Sequence, residues 1–311
     1  GLPLKEGDLL VQKDLAKTLR LIAKKGHDGF YKGSVAKAIV KEQRKRGGLI
    51  THRDLRQYKV KTRTPVHGKY KNFDVYSMSP PSSGGTHVVQ ILNIVENDNL
   101  KKSGPLSAKA IHLTSAAMQQ AFADRAAYLG DADFVKVPVK GLTSKKYASK
   151  IRKGIKDNKA KHRKDTSKGN PFPYESDETT HFTIMDGKGN VISSTQTING
   201  WFGSGLVIPG TGVILNNEMD DFATKAGASN LFGAIGGKNN LVAPRKRPLS
   251  SMSPTIVFNK KDAVLALGTP SGTRILTCVA STVLNVLEYE MPLYESVAAL
   301  RYHHQWAPDE I

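Results

Sequence analysis

Apolar residues recur at Val11, Leu15, Leu19 and Ile22, the three-to-four spacing of a single helix face, and the run stops at Gly26. That predicts an amphipathic helix. A second helix is predicted from Ser34, as its cap, to about Arg46, where Gly47-Gly48 ends it. Thr51-His52-Arg53-Asp54 reads as another capped turn, and Tyr58 to Val60 and Val66 to Tyr76 read as strands broken by Pro65, Gly68 and Asn72. Ser107 to about Leu129 is a long helix with Ile111, Met118 and Phe122 on one face. Near the end, Val264 to Leu267 is a strand that feeds Gly268-Thr269-Pro270-Ser271-Gly272-Thr273-Arg274 and then an apolar helix.

The polar side of the pattern is most unusual in Asp177 to Asn199. Two runs rich in β-branched and apolar residues flank Gly187-Lys188-Gly189, which predicts a β-hairpin that begins at the pair Thr179-Thr180. Alternation then puts Val191, Ser193, Thr195, Thr197 and Asn199 on one face of the second strand, so hydroxyls and an amide point to one place. A threonine hydroxyl is a poor nucleophile unless a base stands within hydrogen-bond reach. If the peptide bond between Glu178 and Thr179 broke, the freed α-amino group of Thr179 would be that base. Threonine is also an ordinary strand former, and spacing alone leaves both readings of Thr179 open. Upstream, Pro171 and Pro173 exclude helix and extend the chain, which places the bond in an exposed segment.

Composition narrows the classes. The 311 residues are 39% hydrophobic and 7% aromatic, which suits a soluble globular protein of one large or two smaller domains. No apolar run is long enough to span a bilayer, and Gly1 to Asp8 has no export-signal core. A net charge of +19 raises an anionic partner, but the lysines crowd between Lys145 and Lys168 with almost no aromatic after Tyr147. A solvated, mobile connector fits that stretch better than a nucleic-acid surface. The single cysteine, Cys278, excludes an intrachain disulfide and is read as packing.

Further candidate chemistry is spread along the chain. Ser79 to Leu92 is a loop feeding a helix, open to an anion site or to tight packing of the helix start. Glu218, Asp220 and Asp221 put three carboxylates in four positions and suit an ammonium group better than a metal, since His303-His304 are adjacent and cannot share one face. Lys225 to Gly237, with Leu231-Phe232 in its middle, reads as a mobile flap with an aromatic tip or as a surface loop. Basic residues and hydroxyls between Pro244 and Thr255, Ser250 and Ser251 among them, suit a carboxylate clamp. The glycine-bearing turn before the last apolar helix suits an oxyanion hole of backbone N–H groups.

Several long motifs stand in order: Tyr174-Glu175-Ser176 before Thr179-Thr180-His181-Phe182, Leu215-Asn216-Asn217-Glu218-Met219-Asp220-Asp221-Phe222, Arg247-Pro248-Leu249-Ser250-Ser251-Met252-Ser253-Pro254-Thr255, and Arg301-Tyr302-His303-His304-Gln305-Trp306. Pro80 to Gly85 and Lys136 to Thr143 add to them. Through these the sequence resembles, over nearly its whole length, the γ-glutamyltranspeptidases or glutathione hydrolases of the N-terminal nucleophile hydrolase superfamily. The resemblance implies an α+β fold, a four-layer αββα sandwich, made from a precursor that cuts itself. Residues 1–178 would be the C-terminal part of the large subunit, with a basic connector at 144–178, and 179–311 the small subunit, together one structural domain. The family's N-terminal part and C-terminal end would be missing from the chain.

The same resemblance assigns roles. Thr179 would attack a γ-glutamyl amide to form an acyl-enzyme, released to water or to an amino acid or dipeptide acceptor. Thr197 would orient Thr179; Asn199, Glu218 and Asp221 would hold the glutamyl α-amino and carboxylate groups; Ser250 and Ser251 would bind the α-carboxylate. Backbone N–H groups of Ser271 and Gly272 would be the oxyanion donors. No cofactor and no metal is implied, and no nucleic acid. The partners would be glutathione and other γ-glutamyl compounds, the acceptors, and the two subunits as a heterodimer, in the periplasm or outside the cell.

Departures from the family pattern are specific. Ser271-Gly272 replaces two glycines, which is tolerable with a negative φ at Ser271. Phe232 stands where some relatives carry a lid tyrosine, so a hydroxyl link from the lid to Asn199 is not available. The arginine that would pair with the substrate carboxylate belongs to the part outside this chain. Three other readings are an acylase on glutaryl side chains like the cephalosporin acylases, an unprocessed chain that only binds γ-glutamyl ligands, and a basic nucleic-acid binder. Glu218 and Asp221 argue against the first, because glutaryl groups carry no ammonium.

Overall fold

The computed structural model describes residues 4–166 and 180–311, so Thr179 and its bond to Glu178 lie outside the described residues. Two compact units are present, Gly1–Thr62 with Phe202–Asn217, and Arg63–Trp201 with Glu218–Ile311.

In the first unit, helices Lys13–Lys25, His27–Tyr31, Gly33–Lys45 and His52–Gln57 enclose a small core of Val35, Ala36, Ile39, Val40, Leu55 and Ile208. The first helix ends where Gly26 takes φ 55° and donates its N–H to the Ile22 carbonyl. Its inner face is turned from the expected one: Val11 precedes the helix and Leu19 is exposed, while Thr18 is buried and donates its hydroxyl to the Thr211 carbonyl. Ser34 is not a cap, because Gly33, at φ 65°, turns the chain and starts the helix one residue earlier. Thr51 and Asp54 do form the expected reciprocal capping box. Tyr58 to Val60 is not a strand. A strand needs a ladder partner, and here the Tyr58 ring stacks on Tyr31 while its carbonyl faces His27 Nε2 at 3.1 Å.

The second unit is built on an antiparallel sheet in the order Val66–Tyr70, Phe73–Ser77, Thr255–Asn259, Asp262–Leu267. Gly68 lies inside the first strand, paired with Val75, and does not break it. A Cβ there would collide with Val89, so the missing side chain lets the Gly84–Val95 helix lie close on the sheet. That helix is buried along its whole length and packs with helices Ala108–Tyr128 and Arg274–Leu287 around Val75, Ile91, Leu92, Met118, Val257 and Val279. Each such side chain contributes about 1.5–3 kcal/mol by leaving water, which anchors the helices that carry the site.

A separate hairpin pairs Thr180–Met185 with Val191–Gln196, as the two runs around the glycine-bearing turn predict, with Thr180 opposite Gln196. Asp186 closes its turn by accepting from the backbone of Lys188 and Asn190. It leans on the main sheet, where Ser193 Oγ donates to the Leu267 carbonyl at 3.1 Å.

The basic stretch needs correction. Lys145–Lys153 is a helix capped by Ser144, not a solvated connector. Ala148 and Ile151 pack on the core, and Arg152 donates to Asp98 and Asp157. Its lysines line the outer face of a docked helix, while residues 167–178 lie outside the described residues.

Candidate active site

The three neighbouring carboxylates do not share one environment. On the Glu218–Asp221 turn, Asp220 is exposed, Glu218 is half-buried and Asp221 is buried. Burial pushes the Glu218 carboxyl up to about 7. Burial, with Glu218 and Asp220 adding to it, pushes Asp221 up to about 8, against the opposing pull of Arg125 and of a hydrogen bond from the Asn199 side chain. Asp221 Oδ1 is buried and accepts no hydrogen bond from the described residues.

Asn199 reaches this place by an unexpected route. The strand ends at Gln196, and Asn199 takes φ 76°, a left-handed conformation that asparagine tolerates better than most residues. Its N–H donates to Thr197 Oγ1 at 2.8 Å, so Thr197 fixes the bend that aims the amide at Asp221.

Ser250 and Ser251 lie on a segment locked to the 79–84 loop. The Ser250 N–H donates to the Pro81 carbonyl, while both the N–H and the hydroxyl of Ser83 donate to the Ser250 carbonyl at 2.8 and 2.9 Å. Ser82 Oγ donates to the Met252 carbonyl at 2.6 Å. A Cβ on Gly84 would strike Ser253, and the Gly85 N–H donates to the Met78 carbonyl, so the helix start is closed by packing rather than open to an anion. Asn240 then joins this segment to the carboxylate turn: its amide nitrogen donates to the Asp221 carbonyl at 2.8 Å and its oxygen accepts from the Leu249 N–H at 3.0 Å.

Beneath both lies Arg125, 1% exposed, on the Ala108–Tyr128 helix. It donates from Nε to Ser83 Oγ at 3.2 Å, and from Nη2 to the Leu249 carbonyl at 3.3 Å and Ser251 Oγ at 3.4 Å. Burial lowers its pKa to about 10 and Asp221 opposes that shift, so it remains a cation at neutral pH. Neither Arg125 nor Asn240 stands out in the sequence. The one local signal for Arg125 is a charged residue within the alanine-rich run Ala121 to Ala127.

The glycine-bearing turn departs from expectation. Ser271 takes φ 105°, not a negative value, so a side chain sits in a conformation that favours glycine; Gly272 follows at φ 49°. Phe232 packs on Gly272, and its carbonyl accepts from Gln305 Nε2. The neighbouring Leu231 N–H donates to the Asp220 carbonyl, and Asn230 Oδ1 accepts from the N–H groups of Phe232 and Ala234. The middle of the flap is therefore tied both to the 271–272 turn, through Phe232, and to the carboxylate turn, through Leu231.

His303 and His304 are engaged elsewhere, the first facing Thr277 Oγ1 at 2.8 Å and the second accepting from the Trp306 N–H. Among the described residues no group of three or more metal-ligating side chains is placed to hold an ion. Cys278 is half-buried on the last long helix.

The arrangement of a buried carboxylate, an asparagine and a cation-backed serine pair can grip both charged ends of an α-amino acid. The chain is 51% identical over 311 residues to a glutathione hydrolase proenzyme of Escherichia coli (strain K12), covering 100% of this chain and 54% of that protein. A solved γ-glutamyltranspeptidase of Helicobacter pylori superposes with a TM-score of 0.51 at 53% identity, over 51% of this chain and 46% of that one. A solved cephalosporin acylase of Bacillus halodurans superposes with a TM-score of 0.77 at 24% identity, over 96% of this chain and 52% of that one, and shows a shared α+β fold. The chain spans about half the length of the relatives it matches. The gamma-glutamyltranspeptidase family model matches residues 1–311, and the chain belongs to that family.

Proposed function

We propose that the protein carrying this chain cleaves itself between Glu178 and Thr179 and then hydrolyses or transfers γ-glutamyl groups, glutathione among its donors. The observation that carries this reading is Asp221: a buried carboxylate with one oxygen unpaired among the described residues is a costly arrangement that a substrate ammonium would relieve. Ser250 and Ser251, backed by Arg125, stand ready for the α-carboxylate of the same ligand.

The freed α-amino group of Thr179 takes the proton from its own hydroxyl as Oγ attacks the γ-carbonyl carbon. Backbone N–H groups of Ser271 and Gly272 stabilise the oxyanion, the leaving amine takes the proton, and the γ-glutamyl ester on Thr179 remains. Water yields glutamate, and an amino acid or dipeptide yields a new γ-glutamyl compound. Thr197 orients the nucleophile, and Phe232 covers the oxyanion turn. Residues 1–178 and 179–311 then belong to the large and small subunits of a heterodimer that works in the periplasm or outside the cell.

A glutaryl acylase is disfavoured, because its ligand carries no ammonium to meet the buried Asp221 Oδ1. Mass spectrometry and assay of a γ-glutamyl anilide test the proposal together. Two fragments that meet at Thr179 and release of the aniline are expected from the wild-type protein, and neither from Thr179→Ala. An intact wild-type chain, or turnover retained by Thr179→Ala, defeats it.

A further inference from the structure

We propose that Arg125 is a positioning residue for the amino-acid end of the substrate: it aims the serine pair and keeps Asp221 able to ionise, without touching the ligand. This rests on the γ-glutamyl reading and deepens it, since it names a determinant of the same site on the 1–178 side of the chain.

The geometry carries the inference. The three hydrogen bonds of Arg125 described above go to neutral acceptors, namely Ser83 Oγ, the Leu249 carbonyl and Ser251 Oγ. Two of those acceptors flank Ser250, and the third fixes the Ser250 carbonyl. One planar guanidinium thus sets the Leu249 carbonyl before Ser250, the carbonyl of Ser250 itself through Ser83, and the hydroxyl of Ser251. Its donors leave in fixed directions, which a flexible lysine cannot reproduce.

Electrostatics points the same way. Asp221 is the anion that acts on Arg125, and Arg125 is the cation that acts on Asp221. The other charged groups that face Asp221 are Glu218 and Asp220 on its own turn, and both oppose its ionisation. Behind Arg125 lies His87 of the Gly84–Val95 helix, with Nδ1 against the Ser83 carbonyl and Nε2 against the Ala121 carbonyl. Burial, together with Arg125, keeps His87 neutral down to about 4, so it adds no second cation. Without Arg125 the Asp221 carboxylate would keep the hydrogen bond from Asn199 but lose its opposing cation beside two acidic neighbours, and would hold its proton to higher pH. A protonated Asp221 binds an ammonium poorly.

The test uses the full-length protein, with a γ-glutamyl anilide as substrate and L-glutamate and glutarate as competitive inhibitors. Glutarate is L-glutamate without its ammonium group. Arg125→Met is expected to weaken L-glutamate about ten-fold or more and to move the acid limb of its binding up by about one pH unit or more. The pH dependence of glutarate binding should not shift. Arg125→Lys is expected to keep the acid limb of the wild type and to raise KM several-fold with little change in kcat, because the charge remains while the fork is lost. Equal shifts for both inhibitors in Arg125→Met overturn the proposal. If that variant does not fold, Arg125→Lys decides: wild-type KM and wild-type acid limb together overturn it. A wild-type protein that releases no aniline defeats the γ-glutamyl reading itself, whereas normal wild-type turnover with either failing variant pattern defeats this inference alone.

Discussion

The ring of Phe232 packs against Gly272, and a Cβ on that glycine would stand 2.7 Å from Phe232 Cε1. Only a glycine fits between the aromatic tip and the turn, and φ 49° there would strain any other residue. Gly272→Ala is therefore expected to displace either the ring or the proposed oxyanion donor. A shift of that kind costs kcat about ten-fold or more and stability about 1–3 kcal/mol. Steady-state kinetics and thermal unfolding check this, and a variant with wild-type values in both would show that the ring has room to move.

Ser271 is the reverse case. Its φ of 105° is a conformation in which a side chain is strained, so Ser271→Gly is expected to stabilise the protein by about 1 kcal/mol. Calorimetry reads the change directly. A lower Tm for the glycine variant would mean that the serine side chain contributes more than its backbone costs.

The carboxylate turn makes stability depend on pH. Glu218 and Asp221 titrate at about 7 and about 8 in the fold, above their ordinary values of 4.5 and 3.8. Below about pH 4 both states hold these protons and the contribution is whole; as pH rises toward about 8 the unfolded chain ionises first and the contribution is lost. Asp221→Asn is expected to flatten that decline, so its Tm should gain on the wild type as pH rises. L-glutamate, which brings an ammonium, should stabilise the wild type more at alkaline than at acid pH. Parallel Tm curves for the two proteins would contradict the buried-carboxylate account.

Asn240, buried at the end of a short turn, is expected to matter to both stability and binding. Its two hydrogen bonds hold Asp221 and Leu249 at a fixed separation. Asn240→Ala leaves the Leu249 N–H unpaired and the Asp221 carbonyl with only the 3.5 Å hydrogen bond from Asn230, which costs about 1–3 kcal/mol. Denaturant unfolding measures that loss, and KM for a γ-glutamyl donor should rise several-fold with it. Full stability with a normal KM would make Asn240 incidental.

How much of this was legible in the sequence depended on distance along the chain. The hairpin from Thr180 to Gln196 and the helix capped by Ser107 follow from neighbouring residues, and both stand as the pattern predicts. Tyr58 to Val60 has strand-forming residues but no partner strand, and no local pattern reports the absence of a partner. The acidic trio was visible as a trio. Which member is buried was not, because that depends on Asn199 and Arg125 arriving from other elements. Arg125 itself finds its partners 42, 124 and 126 positions away, so nothing beside it in the chain announces its role. The φ of Ser271 was likewise hidden, since the turn answers to Phe232 and to the helix that starts at Arg274.

In the middle of the main sheet, Phe73–Ser77 hydrogen-bonds to Thr255–Asn259 through five residue pairs. A break at Glu178–Thr179 would leave one of these strands on each product. The nicked halves would thus share an unbroken ladder and could not drift apart without tearing the sheet down its centre. Maturation of this kind changes which atoms are chain ends and leaves the load path of the molecule intact.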